Sequence, residues 1–438
     1  MTFKIKRSLL AASVAAAIVA PVTGFATNGM NLEGYGPIAT GMGGASMAYD
    51  NGVAAVMNNP ATLGLMEDGE SRLDLALGNL GPDITSSSGP FSTDSGGDSY
   101  YMPAVGYAKR NGKLTYGVGM SAQGGMGTEY AAGSFLGGTT GLEARSEVGV
   151  GRLVAPIVYN VDKNLTVGGS IDYVWASMDL KMAASMAQAM GMMQPGTTLA
   201  LPGAGWDYAY FDFSNDSDFS GEAKGDGFAG KLGITYKVSN ELTVGATYHT
   251  ETSLGDLETS STGATLSLLN AGTPIAALPG KIAVNDFQWP STLAVGMSYK
   301  QDKWMIVADV KQINWSDVMS AFNMTYSNAG GVAIMAMPQD WDDQTVIQIG
   351  GSYKVTAETT LRAGINSASN PIPDATVHPL FPATIESHYT LGVGYAVSKM
   401  SSIDFSLTIA PEVSVDGDSG VTTDHSQMNW QFMYSQKF

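Results

Sequence analysis

From residue 70 onward the chain repeats one pattern: stretches about ten residues long in which large apolar side chains alternate with small or polar ones, the period of a strand with one face in lipid. Fourteen such stretches are predicted, with cores at residues 72–80, 100–109, 113–123, 146–160, 165–180, 224–238, 241–253, 287–300, 303–317, 344–355, 359–367, 387–398, 402–413 and 425–438. Short turns and long loops alternate strictly between them. The turns are Arg110-Asn111-Gly112, Val161-Asp162-Lys163-Asn164, Ser239-Asn240, Gln301-Asp302, Thr356-Ala357-Glu358 and Lys399-Met400-Ser401. Short turns on one side, long loops on the other and an even strand number are the signature of an outer-membrane barrel. The predicted fold class is all-β, a 14-stranded antiparallel transmembrane β-barrel over residues 70–438.

A tyrosine precedes each short turn: Tyr107, Tyr159, Tyr236, Tyr299, Tyr353 and Tyr395. Aligned across hairpins they form a ring at one height, as expected of an interfacial aromatic girdle. Taking them as outward-facing fixes every other side chain, because strand residues alternate. Leu165, Val167, Ile171, Tyr173, Trp175, Leu293, Val295, Met297, Leu391, Val393, Phe405 and Leu407 then face lipid. The same parity sends Asp74, Arg152, Asp172, Lys231, Asp309, Lys311 and Arg362 inward, with Asp309 and Lys311 expected to pair. The last strand puts Met428, Trp430, Phe432, Tyr434 and Phe438 on one face. An aromatic end of this kind is what barrels present to their assembly machinery, an expected partner alongside outer-membrane lipid and lipopolysaccharide.

Residues 1–26 read as a secretory signal peptide: Lys4, Lys6 and Arg7 precede an Ala-rich apolar run that ends at small residues Gly24 and Ala26. No later run is long and apolar enough for a membrane helix. The sequence has no cysteine, which removes disulfide, thiol-nucleophile and Cys-zinc chemistry together. Losing the three signal cations leaves 22 − 3 = 19 Lys+Arg against 40 Asp+Glu, a net of −21, which argues against nucleic acid. With four histidines and no adjoining nucleophile motif, an enzyme is not expected. Gly41-Met42-Gly43-Gly44 lacks the Lys and Ser/Thr of a phosphate loop. No cofactor and no metal are predicted.

Residues 27–69 are too rich in Gly, Ala and Asn to read as a strand or an amphipathic helix. Here Gly34-Tyr35-Gly36-Pro37, Gly41-Met42-Gly43-Gly44-Ala45 and Asn58-Asn59-Pro60-Ala61-Thr62-Leu63 resemble the N-terminal hatch of the FadL/OMPP1/TodX family of outer-membrane hydrophobic-compound transporters. The resemblance continues at Thr128-Glu129-Tyr130, Ile313-Asn314-Trp315-Ser316-Asp317, Leu361-Arg362-Ala363-Gly364, Asn370-Pro371-Ile372-Pro373-Asp374 and the C-terminal strand. It implies a 14-stranded barrel plugged inside its lumen by residues 27–69, with Asn59, Pro60 and Ala61 as the hatch corner. It also implies ligand capture by external loops, an apolar lumen site, hatch movement and lateral release at a kink in the third strand. Gly117 and Gly119 fall in that strand and are the lateral-gate candidates, against a plainer reading in which they relieve crowding in the lumen.

Met178, Met182, Met186 and Met190 recur every fourth residue, which predicts a methionine stripe on a loop helix, packed on the barrel or receiving apolar ligand. In fatty-acid members of the family, basic residues near this loop and in a later one meet the carboxylate. Lys181 is the nearby cation here, with Arg152 and Arg362 as lumen candidates, whereas the later loop, Pro338-Gln339-Asp340-Trp341-Asp342-Asp343, is acidic. The expected function is passive outer-membrane transport of long-chain fatty acids, with neutral aromatic or alkane hydrocarbons as the alternative and a general diffusion porin behind both. Deleting residues 27–51 is expected to change the ion conductance of the reconstituted barrel; an unchanged trace would sink the hatch assignment.

Overall fold

In the computed structural model, which describes residues 28–202, 205–217 and 220–438, alternation does build strands wherever backbone partners exist to complete them. The expected signal peptide lies outside the described residues. In chain order the strands begin with β1 (Ser71–Leu80), β2 (Pro82–Ser88), β3 (Phe91–Asp94), β4 (Tyr100–Asn111), β5 (Leu114–Tyr130), β6 (Ala144–Asn160) and β7 (Leu165–Ser185). Next come β8 (Tyr208–Phe213), β9 (Ala223–Lys237), β10 (Leu242–His249), β11 (Ser253–Leu254), β12 (Leu257–Glu258), β13 (Ala264–Asn270), β14 (Thr273–Asn285) and β15 (Thr292–Gln301). The rest are β16 (Trp304–Ile313), β17 (Ala321–Asn328), β18 (Gly331–Pro338), β19 (Gln344–Lys354), β20 (Thr359–Ala368), β21 (Ser387–Ala396), β22 (Ser401–Asp416) and β23 (Thr422–Lys437).

The predicted strand count of fourteen is corrected: among the described residues one antiparallel sheet has 23 strands. Its hydrogen-bonded circuit runs from β1 through β4, β5, β6, β7, β9, β10, β15, β16, β19, β20, β21 and β22 to β23, which pairs back onto β1. The other strands lie in segments expected to be loops. One reason is visible at Ala271 and Gly272, both left-handed, which turn β13 tightly into β14. Leu266 and Leu268 of that hairpin face inward, so a buried face was encoded there too.

The inside-outside parity holds. Tyr107, Tyr159, Tyr236, Tyr353 and Tyr395 are exposed on the outer face, with Ile171, Leu293, Val295 and Leu391. Asp74, Arg152, Asp172, Lys231 and Asp309 are buried inside. Arg152 and Lys231 both pair with Asp172, so two cations share one carboxylate in a buried triad.

The hatch fills the lumen through helix α1 (Pro37–Thr40) and two 3₁₀ turns, Val53–Val56 and Pro60–Leu65. Asn59 caps the second turn by accepting from Ala61 N (3.1 Å), while its Nδ2 donates to Met47 O (2.8 Å) and to Ile234 O of β9 (3.2 Å). The corner expected at Asn59, Pro60 and Ala61 is thus also a bolt to the wall. Glycines clear its path: a Cβ on Gly233 would strike Asn59, and one on Gly119 would meet Val56.

Two lumen carboxylates hold hatch amides. Asp309 accepts from Ser46 N (2.6 Å) and Met47 N (3.1 Å), and Asp74 accepts from Val53 N (2.6 Å). The expected Asp309–Lys311 ion pair is therefore corrected: the hatch supplies two amides to one Asp309 oxygen, and the other has no partner. Asp309→Ala should cost hatch docking ~1–3 kcal/mol by stranding buried amides. The expected result is higher ion conductance of the reconstituted channel, with the heat-dependent gel mobility of the barrel unchanged.

Candidate functional site

The wall has one long interruption. β4 and β5 pair from Asn111–Leu114 up to Val105–Met120 and no further. Above that point residues 100–104 remain bonded to β1, while β5 follows β6 through a register shift between Ala122 and Gly124. Pro103, which has no N–H to donate, lies on the β4 edge that faces the gap. The strands are tied together again higher up, where Gly96 N donates to Glu129 O (2.6 Å) and Glu129 N to Ser95 Oγ (3.0 Å). The result is a bounded window.

The first described residues of the hatch occupy it. Asn31 bridges to Gly124, and Gly125 N donates to Met30 O (3.0 Å). A Cβ on Gly124 would collide with Met30 O, so only glycine admits this approach. Asn31 Oδ1 accepts from Gln123 Nε2 and from Trp289 Nε1, both at 2.9 Å, and Tyr35 OH donates to Gln123 O (2.6 Å). The hatch therefore satisfies backbone groups that β4 leaves open.

A cavity of about 590 Å³ runs through this region. Met30, Leu32, Met126, Val148, Val150 and Ala176 line it from within. Tyr101, Met120, Tyr173 and Trp175 line it from the lipid side, where each is between 37% and 51% exposed. The cavity thus joins the lumen to the outer face. Its roof is the segment between β20 and β21, which folds inward: Pro379 O accepts from Tyr130 OH (3.0 Å) and Pro382 O from His425 Nδ1 (2.8 Å). Burial pulls His378 of that segment down to about 4, so it is neutral beside the Phe381 ring, 5.8 Å away.

The predicted ligand residues scatter. The methionine stripe is corrected: β7 continues to Ser185, because Leu180 to Ser185 pair with β8, and helix α2 is only Met186–Met192. Met178 and Met182 therefore lie on a strand within the buried apolar cluster above the hatch, Met186 starts the helix, and Met190 is exposed. Lys181 is held by Glu143 and Asp216, both at 2.5 Å. Arg152 is held by Asp172 at 3.0 Å and Arg362 by Asp404 at 2.8 Å. Gly117 and Gly119 pair in regular register with Ala108 and Gly106, below the window. Sequence reasoning missed Pro103 and Glu33 and gave Trp175 only an outward face, although a proline inside an alternating strand was a legible sign of an edge. Among the described residues no group of three His, Asp or Glu could hold a metal ion.

Residues 13–437 match the family described as outer membrane protein transport protein (OMPP1/FadL/TodX). The crystal structure of the P. putida toluene transporter TodX is similar with a TM-score of 0.83 and 32% identity, over 93% of this chain and 99% of that one. The Ralstonia pickettii toluene transporter TbuX gives 0.78 and 32%, with the same coverage. Alkane uptake protein A of Marinobacter nauticus is 25% identical over 126 residues, 29% of this chain and 27% of its own length. An uncharacterized protein of Chlorobium limicola is 47% identical over 81 residues, 18% of this chain and 40% of its own length, so the chain spans less than half of each of these two relatives. The family match extends over nearly the whole sequence, and the protein belongs to the OMPP1/FadL/TodX family as an outer-membrane transport channel for hydrophobic compounds, not an enzyme.

Proposed function

We propose that the channel carries neutral hydrophobic molecules of aromatic-hydrocarbon size passively, from the loop-enclosed apolar cluster into the cavity and sideways through the β4–β5 window as Met30 and Asn31 withdraw. The observation that carries this is the cavity itself, largely apolar and continuous with the lipid side of the wall. The cations expected to hold a carboxylate, Lys181, Arg152 and Arg362, each have an acidic partner already, which favours a neutral ligand over a fatty acid. The likeness to TodX and TbuX, described as toluene transporters, points the same way. A lumen filled by a bolted hatch argues against a general diffusion porin. The aromatic end of β23 and the exposed Phe438 support recognition by the barrel assembly machinery within a lipopolysaccharide-bearing membrane.

Two experiments test this reading. In proteoliposomes the protein is expected to bind and pass toluene in preference to oleate; saturable oleate binding weakened by Lys181→Ala would restore the fatty-acid reading. Ala122→Trp places an indole in the window at an overpacking cost to a passing ligand of ~1–3 kcal/mol. Uptake should then fall roughly tenfold with barrel assembly intact; undiminished uptake would mean that ligand does not leave there.

A further inference from the structure

One polar group of the cavity is left over by everything described so far. Glu33 lines the cavity, is 1% exposed, and its Oε1 has no hydrogen-bond partner among the described residues. The residue is not free to swing away as a whole, because its carbonyl is held by Gln348 Nε2 of β19 (2.9 Å) and Asn366 Nδ2 of β20 (3.4 Å). Among the described residues, the cation pairs of the lumen do not include it. Both ring nitrogens of the fully buried His388 on β21 are also without hydrogen-bond partners among the described residues. His425, which also lines the cavity, is engaged with Pro382 O and with Gln427, so neither of its own ring nitrogens serves Glu33.

A buried carboxyl oxygen without a donor is costly, and native structures keep such groups where something else completes them. An ionised carboxylate can only accept. We infer that Glu33 is a specificity residue: the cavity takes an otherwise apolar molecule bearing one neutral hydrogen-bond donor, a phenol or an alcohol, whose hydroxyl donates to the Glu33 carboxylate. Largely apolar walls hold the hydrocarbon body and the unpartnered Glu33 oxygen orients it, the usual division of labour in a small-molecule site. This rests on the cavity being the site of the transported hydrophobe, and it adds a preference that pure hydrocarbons cannot express.

The test is calorimetric titration of p-cresol and toluene into the full-length protein in mild detergent, for the wild type, Glu33→Gln and Glu33→Leu. The ratio of the two affinities is the readout, because the hydration of the cresol hydroxyl is common to all three proteins and cancels between them. Glu33→Leu should lower the cresol-to-toluene ratio roughly tenfold, equivalent to about 1.4 kcal/mol. Glu33→Gln keeps an acceptor but not the charge, and should lower it by roughly threefold. It is nearly isosteric, so it carries the test if the leucine variant fails to assemble. Toluene binding in all three with one unchanged ratio would overturn the role of Glu33. Toluene binding in none, wild type included, would overturn the cavity as the ligand site and this inference with it.

Discussion

The hydrocarbon core of a membrane offers no partner to a backbone N–H or C=O, and every part of this molecule answers to that constraint. It explains why the sheet closes β23 onto β1, and it makes any gap in the circuit conspicuous. β4 and β5 do part above Val105 and Met120, and the open backbone there is met from inside by Met30 and Asn31. The plug is thus a piece of the wall as well as a stopper in the lumen. Moving it would uncover polar backbone, which favours the closed state until something else occupies the space.

The lumen follows the same logic with side chains. A chain segment without regular structure carries many amides that need acceptors. Asp309 and Asp74 supply them at two places and Asn59 at a third, while glycines on the facing strands let the hatch backbone come close. Other lumen charges pair with one another: Arg152 and Lys231 with Asp172, Arg72 with Asp50 and Glu70, Arg362 with Asp404. With these charges spent on one another and on the hatch, the space left is largely apolar, and the cavity lies there. Glu33 stands out against this background because its Oε1 has no hydrogen-bond partner among the described residues.

Strand period, outward aromatic rows, inward charges and the six short turns could all be read along the chain, since each depends on residues one or two positions apart. The hatch corner at Asn59, Pro60 and Ala61 was legible for a similar reason: proline and asparagine impose their geometry locally. The strands beyond the barrel proper were missed because β13, β14, β17 and β18 fall in long segments read whole as loops, although Gly272 and Gly331 mark their turns. The methionine spacing misled because a four-residue repeat is also even, and so fits one face of a strand as well as one face of a helix; the pairing of β7 with β8 decided between them.

Alternation therefore suffices for architecture and sidedness, because inside and outside are set by neighbours along the chain. The window, the cavity and the fate of each charge were decided only when distant segments met. Gly124 acquires its meaning from Met30, nearly a hundred residues away, and Lys181 loses its candidacy to Glu143 and Asp216 across two loops. Pairing energies of that kind depend on distance in space, which a one-dimensional pattern does not contain.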